Sequence, residues 1–250
     1  MHDSPALRKA RGAFFTPPAI TRFLADWALR TASDSVLEPS CGEAGFLLAA
    51  GDRLRALGAG GLGDMRLHGI EVHGKSARVA SEILASRGFS AKIDTADFFA
   101  VEPRAMYDAV LGNPPYVRYQ SFSGTARTRS LEAALKHGVR LTGLASSWAA
   151  FAVHASQFLK PGGRLGLVLP AELLTVNYAA EVRRFLLNRF ATIRLVMFEE
   201  LVFPGVLEEV VLLLAEGQGS APKFEVFQAR RLDDLDKREQ HSWSWFTPER

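Results

Sequence analysis

The chain has 250 residues, 48% of them hydrophobic and 23% charged, enough for one large α/β domain with an extensive core and too few for a comfortable second one. Apolar runs such as VVLLLA (210–215) fall far short of the roughly 18 residues of a membrane span, MHDSPALRKARG (1–12) is too polar for a signal peptide, and the single cysteine, Cys41, excludes an internal disulfide framework and a cysteine-based zinc cluster. Thirty basic residues against 27 acidic ones leave a net charge of +3, a slight lean towards a polyanionic partner in a soluble, cytoplasmic protein.

In chain order, Thr16 before Pro17 and Pro18 reads as an N-cap with proline in the first turn. AITRFLADWALRTA (19–32) then repeats apolar residues at helical spacing. After that helix, β-like runs alternate with helical ones: SVLEP (35–39) then 43–57; RLHGIEV (66–72) then 75–87; DAVLGNPP (108–115) then 146–159; RLGLVLP (164–170) then 177–189; and TIRLVMF (192–198). The alternation predicts βα units, a Rossmann-like α/β fold with a mostly parallel central sheet and helices on both faces. EEVVLLLAE (208–216) and KFEVFQA (223–229) follow one another with no helix between them, so these last strands are expected to run antiparallel. Residues 1–230 read as the catalytic domain. From 231 to 250 the chain turns charged and then aromatic without a clean period, which reads as a linker or the start of a further, absent domain.

In open α/β sheets ligands bind beyond the carboxyl ends of the strands, so the residues after each strand carry the functional information. After the first strand, EPSCGEAGF (38–46) supplies small residues, Ser40, Gly42 and Gly45, for a tight turn that a ligand can approach. Its spacing is not GxGxxG, so a nicotinamide or flavin site fits poorly. The second strand ends in Glu71, placed to accept hydrogen bonds from two ribose hydroxyls or simply to meet solvent. ADFF (96–99) offers Asp97 as acceptor for an adenine amino group and Phe98 as a purine-packing face or a core residue.

The fourth strand runs into Asn113-Pro114-Pro115-Tyr116. Proline restricts the residue before it, so Asn113 is pinned in an extended conformation and its amide oxygen can be aimed. That oxygen and the Pro114 carbonyl can receive both hydrogens of one exocyclic amino group, drawing the lone pair out of the ring and making the nitrogen nucleophilic. Tyr116 can stack on the heterocycle, and a methyl sulfonium is the matching electrophile. Adenine N6 and cytosine N4 suit such a pocket alike. Directly after the motif, Arg118, Arg127, Arg129, Lys136 and Arg140 face a single acid, Glu132, which reads equally as a solvated loop or as a phosphate-contacting one.

Together these segments resemble the gamma-group adenine-N6 DNA methyltransferases of restriction-modification type. GAFFTPPAITRFLADWAL (12–29), the NPPY motif, FLKPGGRLGLVLP (158–170) and LVFPGVLEEVVLLL (201–214) occur in that family's motif order, from about residue 12 to 215. The resemblance implies S-adenosylmethionine as cofactor. Thr16 and the turn of Glu38, Pro39, Ser40, Cys41 and Gly42 would hold its methionine end, Glu71 and Val72 its ribose, and Asp97, Phe98 and Phe151 its adenine. It further implies Phe203 as the ring that stacks, with Tyr116, on a flipped target base, Pro204 as part of a rigid turn beside it, and double-stranded DNA as substrate. Family members usually carry a C-terminal target-recognition domain, so a separate recognition or restriction subunit is the expected partner. NPPY also resembles the motif of enzymes that methylate a glutamine amide in release factors, but those place a helical domain before the glycine turn. A third reading is a nucleic-acid-binding subunit that has lost activity, against which the intact Asn113 and Tyr116 stand.

Overall fold

The computed structural model describes residues 15–60, 66–118, 120–203, 208–235 and 244–246. Helix α1 (Pro18–Ala28) leads into β1 (Ser35–Pro39), α2 (Gly45–Ala56), β2 (Arg66–Glu71), α3 (Gly74–Ser86), β3 (Ala91–Thr95) and a single 3-10 turn, Phe98–Ala100. Then come β4 (Tyr107–Gly112), α4 (Gly124–Lys136), α5 (Ser147–Ser156), β5 (Leu159–Pro170), α6 (Glu172–Thr175) and α7 (Ala180–Arg189). The described chain closes with β6 (Thr192–Phe198), β7 (Val210–Glu216), β8 (Phe224–Ala229) and β9 (Ser244–Phe246).

All nine strands form one sheet in the order β3-β2-β1-β4-β5-β7-β6-β8-β9. The order reverses between β1 and β4, which pair in parallel, and this is where an open α/β sheet leaves a crevice for a ligand. Side chains alternate across the sheet as the two-residue period of a strand requires. Leu37, Val110 and Leu165 enter one apolar layer with Trp148 and Phe151 of α5, while Val36, Ala109 and Leu111 enter the other with Ile20 and Leu24 of α1 and Phe46 of α2. All ten residues of α5 are buried, so the helix carrying Phe151 is a fixed internal wall.

Two expectations are corrected. Pro17, not Thr16, occupies the N-cap of α1, and no side chain caps it. With Pro18 at the first helical position there is one orphan N–H fewer to satisfy, which leaves the Thr16 hydroxyl for another partner. β7, antiparallel to both β5 and β6, is the antiparallel strand expected near the C-terminus, and β8 runs the opposite way to it, parallel to β6. β7 inserts between β5 and β6, so the chain must cross to β6's far side before β8 can pair. The basic stretch after NPPY is largely the helix α4 rather than a loop. The stretch read as a linker contributes β9, antiparallel to β8.

Candidate active site

The carboxyl ends of β1, β2, β3 and β4 open onto one cavity of about 410 Å³. Its wall includes Thr16, Glu38, Glu71, Asp97, Asn113 and Phe151. Residues far apart in sequence, singled out one by one, therefore share a single space.

The turn after β1 is built from left-handed backbone. Ser40 (φ 61°), Gly42 (φ 52°) and Ala44 (φ 62°) alternate in it, and two of the three carry a Cβ that disfavours this region by about 1–2 kcal/mol each. The turn is held by backbone bonds from Cys41 N–H to the Ile70 carbonyl (2.9 Å) and from Ala44 N–H to the Cys41 carbonyl (2.7 Å). Cys41 is buried against it, and burial pushes its thiol pKa up, so it stays a neutral lining group.

Glu71 links this turn to the next. One oxygen accepts the Gly42 N–H and the other the His73 N–H, both at 2.9 Å, so two strand ends are braced by a single buried carboxylate that also faces the cavity. Val72 beside it is exposed and lines the mouth.

Glu38 lines the cavity and has a second task as well. Its two oxygens accept the Phe46 and Leu47 N–H groups (3.3 and 2.9 Å), capping the first turn of α2, whose own N-cap residue, Ala44, offers no side-chain acceptor. Burial pushes its pKa up to about 8, against the two N–H bonds that lower it and with the neighbouring Glu71 adding to the rise. A buried acid whose folded pKa lies above its unfolded value near 4.5 binds its proton more tightly when folded. Its contribution to stability is then full below about pH 4.5 and lost as pH rises through about 8. Glu38→Gln should accordingly gain stability relative to the parent chain between pH 5 and pH 8 in urea titrations. A stability difference constant across that range would show that Glu38 does not titrate there.

Asp97 caps the 3-10 turn by accepting the Phe99 N–H (3.1 Å) and also accepts Arg129 Nη1 (3.0 Å). Phe98 and Phe151 meet at 4.7 Å between ring centroids and both line the cavity, although Phe98 is itself almost wholly buried. Beneath them His154, three residues after Phe151, turns its Nε2 towards the Phe98 and Val101 carbonyls (3.1 Å each). Burial lowers its pKa to about 4, so it acts as a neutral donor holding the turn that carries Asp97 and Phe98.

At the end of β4 the Asn113 side chain has found a partner for only one of its ends. Nδ2 donates to Thr16 Oγ1 (3.1 Å), while the buried Oδ1 has no hydrogen-bond partner among the described residues. A buried amide oxygen left unpaired costs about 1–3 kcal/mol, which points to a donor supplied from outside the chain. The following loop is stapled rigidly: Ser147 Oγ donates to the Pro115 carbonyl and accepts the Val117 N–H (2.9 Å). The Tyr116 hydroxyl donates to the Val168 carbonyl (2.9 Å), fixing a half-buried ring beside the site rather than in the cavity wall. Pro39 and Pro114 are buried behind the lining, and Pro115 is part of it.

Phe203 does not join this assembly. It is 4% exposed, packed in the apolar layer of α1 and α2, and absent from the cavity wall. Pro204 lies outside the described residues. Conversely, Phe15, 64% exposed at the cavity edge, and Phe122 line the site without having been expected there. Phe15 adjoins Thr16, which was the available signal; nothing near Phe122 marked it. Three of the cations after NPPY are paired with acids of the chain, Arg118 with Glu208 (3.6 Å), Arg129 with Asp97 (3.0 Å) and Lys136 with Glu102 (3.6 Å), while Arg127 donates to the Phe122 and Gly143 carbonyls.

A family model described as N-6 DNA methylase matches residues 3–242. Among relatives, the type II methyltransferase M.XamI of Xanthomonas campestris pv. amaranthicola is 28% identical over 201 residues, covering 78% of this chain and 37% of its own length. The type II methyltransferase M.HincII of Haemophilus influenzae is 27% identical over 226 residues, covering 90% and 39%. The chain thus spans about two fifths of the length of the relatives it matches. The M protein of the type I restriction enzyme EcoKI superposes with a TM-score of 0.70 at 19% identity, over 88% of this chain and 49% of that one. The methyltransferase subunit of a type I restriction-modification system from Streptococcus thermophilus gives 0.70 at 18% identity, over 86% and 47%. At such identities the superpositions speak for a shared fold alone.

Proposed function

The chain belongs to the N-6 DNA methylase family, and from that premise we propose that it carries the catalytic domain, to about residue 230, of a restriction-modification enzyme that methylates N6 of an adenine turned out of duplex DNA. The observation that carries this reading is the buried, unpartnered Asn113 Oδ1 at the end of β4. Thr16 ties down the amide nitrogen, so the oxygen is left to receive a hydrogen from a ligand.

The cavity suits S-adenosylmethionine in size and chemistry. Glu71 offers a braced carboxylate to ribose hydroxyls, with Val72 beside it, and Asp97 offers an acceptor to the adenine amino group. Phe98 and Phe151 form the apolar wall for the purine, while Thr16 and the Ser40–Gly42 turn remain for the methionine end, with Glu38 holding α2 behind them. When bound, the cofactor supplies an electrophilic methyl group on a positively charged sulfur.

Asn113 Oδ1 and the Pro114 carbonyl would accept the two hydrogens of the target amino group, so that its lone pair leaves conjugation. With the cofactor bound, that nitrogen would gain the methyl group as the donor leaves as a neutral thioether, and would then give up one proton. Neither oxygen is basic enough to keep that proton, so it passes to water. Tyr116, its hydroxyl anchored on Val168, presents a ring of fixed orientation for stacking on the extruded base. Phe203 can share that task only after its loop leaves the core.

Duplex DNA would be gripped through phosphate contacts near residues 118–140. The ion pairs there are exposed and worth about 0–1 kcal/mol each, so phosphates can displace the acids. One cavity holds one base, so reading the neighbouring bases falls to a further domain or a partner subunit, in a cytoplasmic complex. Among the described residues no helix is long and apolar enough to cross a membrane. Titration of the 250-residue chain against specific and scrambled duplexes at two salt concentrations should show weak binding that falls steeply with salt and ignores sequence. Tight, salt-tolerant, sequence-selective binding would place recognition within these residues instead.

A further inference from the structure

The Asp97 carboxylate is tied at both oxygens, to its own turn through Phe99 N–H and to a separate helix through Arg129 Nη1. A carboxylate has about four acceptor positions, so two held bonds leave room for a third. Arg129 belongs to α4, whose Ala126, together with Phe122 just before the helix, forms part of the cavity wall. The guanidinium therefore reaches Asp97 from an element that itself closes the site. With side chains 48% and 25% exposed, this ion pair does little for stability. What two anchors on different elements do is fix the rotation of the carboxylate plane before a ligand arrives, which lowers the ordering cost of a directional hydrogen bond.

We infer that Arg129 is a positioning residue that aims Asp97 at the exocyclic amino group of the cofactor's adenine, and that α4 thereby sets selectivity for a 6-amino purine. The inference rests on the S-adenosylmethionine reading of the cavity. A second tie between the same helix and the same loop region, Lys136 to Glu102, touches neither Asp97 nor the large cavity wall and supplies the control.

The test is calorimetric binding of S-adenosylmethionine and of its 6-oxo analogue, in which a carbonyl replaces the amino donor, to the parent chain, Arg129→Gln and Lys136→Gln. The parent chain should prefer the 6-amino cofactor, and Arg129→Gln should cut that preference by about fivefold while the 6-oxo affinity stays within about twofold. Lys136→Gln should keep the parent's preference. An unaltered preference in Arg129→Gln, equal weakening of both ligands, or the same loss in Lys136→Gln would each overturn the inference, the last two by showing that the helix is merely loosened. A parent chain that binds both ligands equally removes Asp97 from amino recognition and overturns it too. Failure of the parent chain to bind either ligand would instead refute the cofactor reading beneath it.

Discussion

Asn113→Ala lowers the rate of methyl transfer by about 100-fold or more, the scale of losing one positioned polar group at a reacting centre. The effect belongs to the chemical step, because the amide oxygen has no partner among the described residues and contributes only once an amino group arrives. S-adenosylmethionine affinity should barely change, since the Asn113 amide is assigned to the target and its one side-chain bond among the described residues is to Thr16. Single-turnover rates at saturating donor and DNA, with cofactor binding measured in parallel, separate the two steps. Near-normal turnover with intact cofactor binding would remove Asn113 from the mechanism.

Glu71→Ala acts on the earlier step. A carboxylate accepting from two ribose hydroxyls makes charge-assisted bonds worth about 1.5–3 kcal/mol, so its loss should weaken S-adenosylmethionine binding by about 10-fold to 150-fold. The same substitution frees the Gly42 and His73 N–H groups and loosens both turns. Calorimetry should therefore include the 2′-deoxy and 3′-deoxy cofactor analogues. Loss of the parent chain's discrimination against them assigns the effect to the hydroxyls. Retained discrimination in Glu71→Ala would leave Glu71 a brace for the turns and nothing more.

Much of this arrangement is legible in the sequence because strand ends in a parallel sheet are local events. SVLEP and TIRLVMF are strands over the quoted residues, and Glu71 and Asn113 each follow a recognisable β-like run into the cavity that Asp97 also lines. What escapes is whatever depends on pairing at a distance. The insertion of β7 between β5 and β6 leaves no local mark, since a strand buried on both faces reads alike in either direction. Glu38, near the end of β1, lines the cavity and also caps α2, a second task with no local mark, because Ala44 leaves that helix without its own acceptor. Thr16 shows the converse: its position marks the site, but Pro17 takes the cap and its hydroxyl instead orients Asn113. Phe203 reads as a stacking ring from its motif and is nonetheless buried, as an apolar ring beside a sheet tends to be.

The central claim concerns which atom receives the methyl group. Duplex DNA incubated with the chain and S-adenosylmethionine at low salt and high protein concentration, then digested to nucleosides and analysed by mass spectrometry, reports that atom directly. N6-methyldeoxyadenosine should accumulate with the parent chain and fall to background with Asn113→Ala. Methylation of cytosine N4 instead, or equal N6-methyldeoxyadenosine from both proteins, would contradict the assignment.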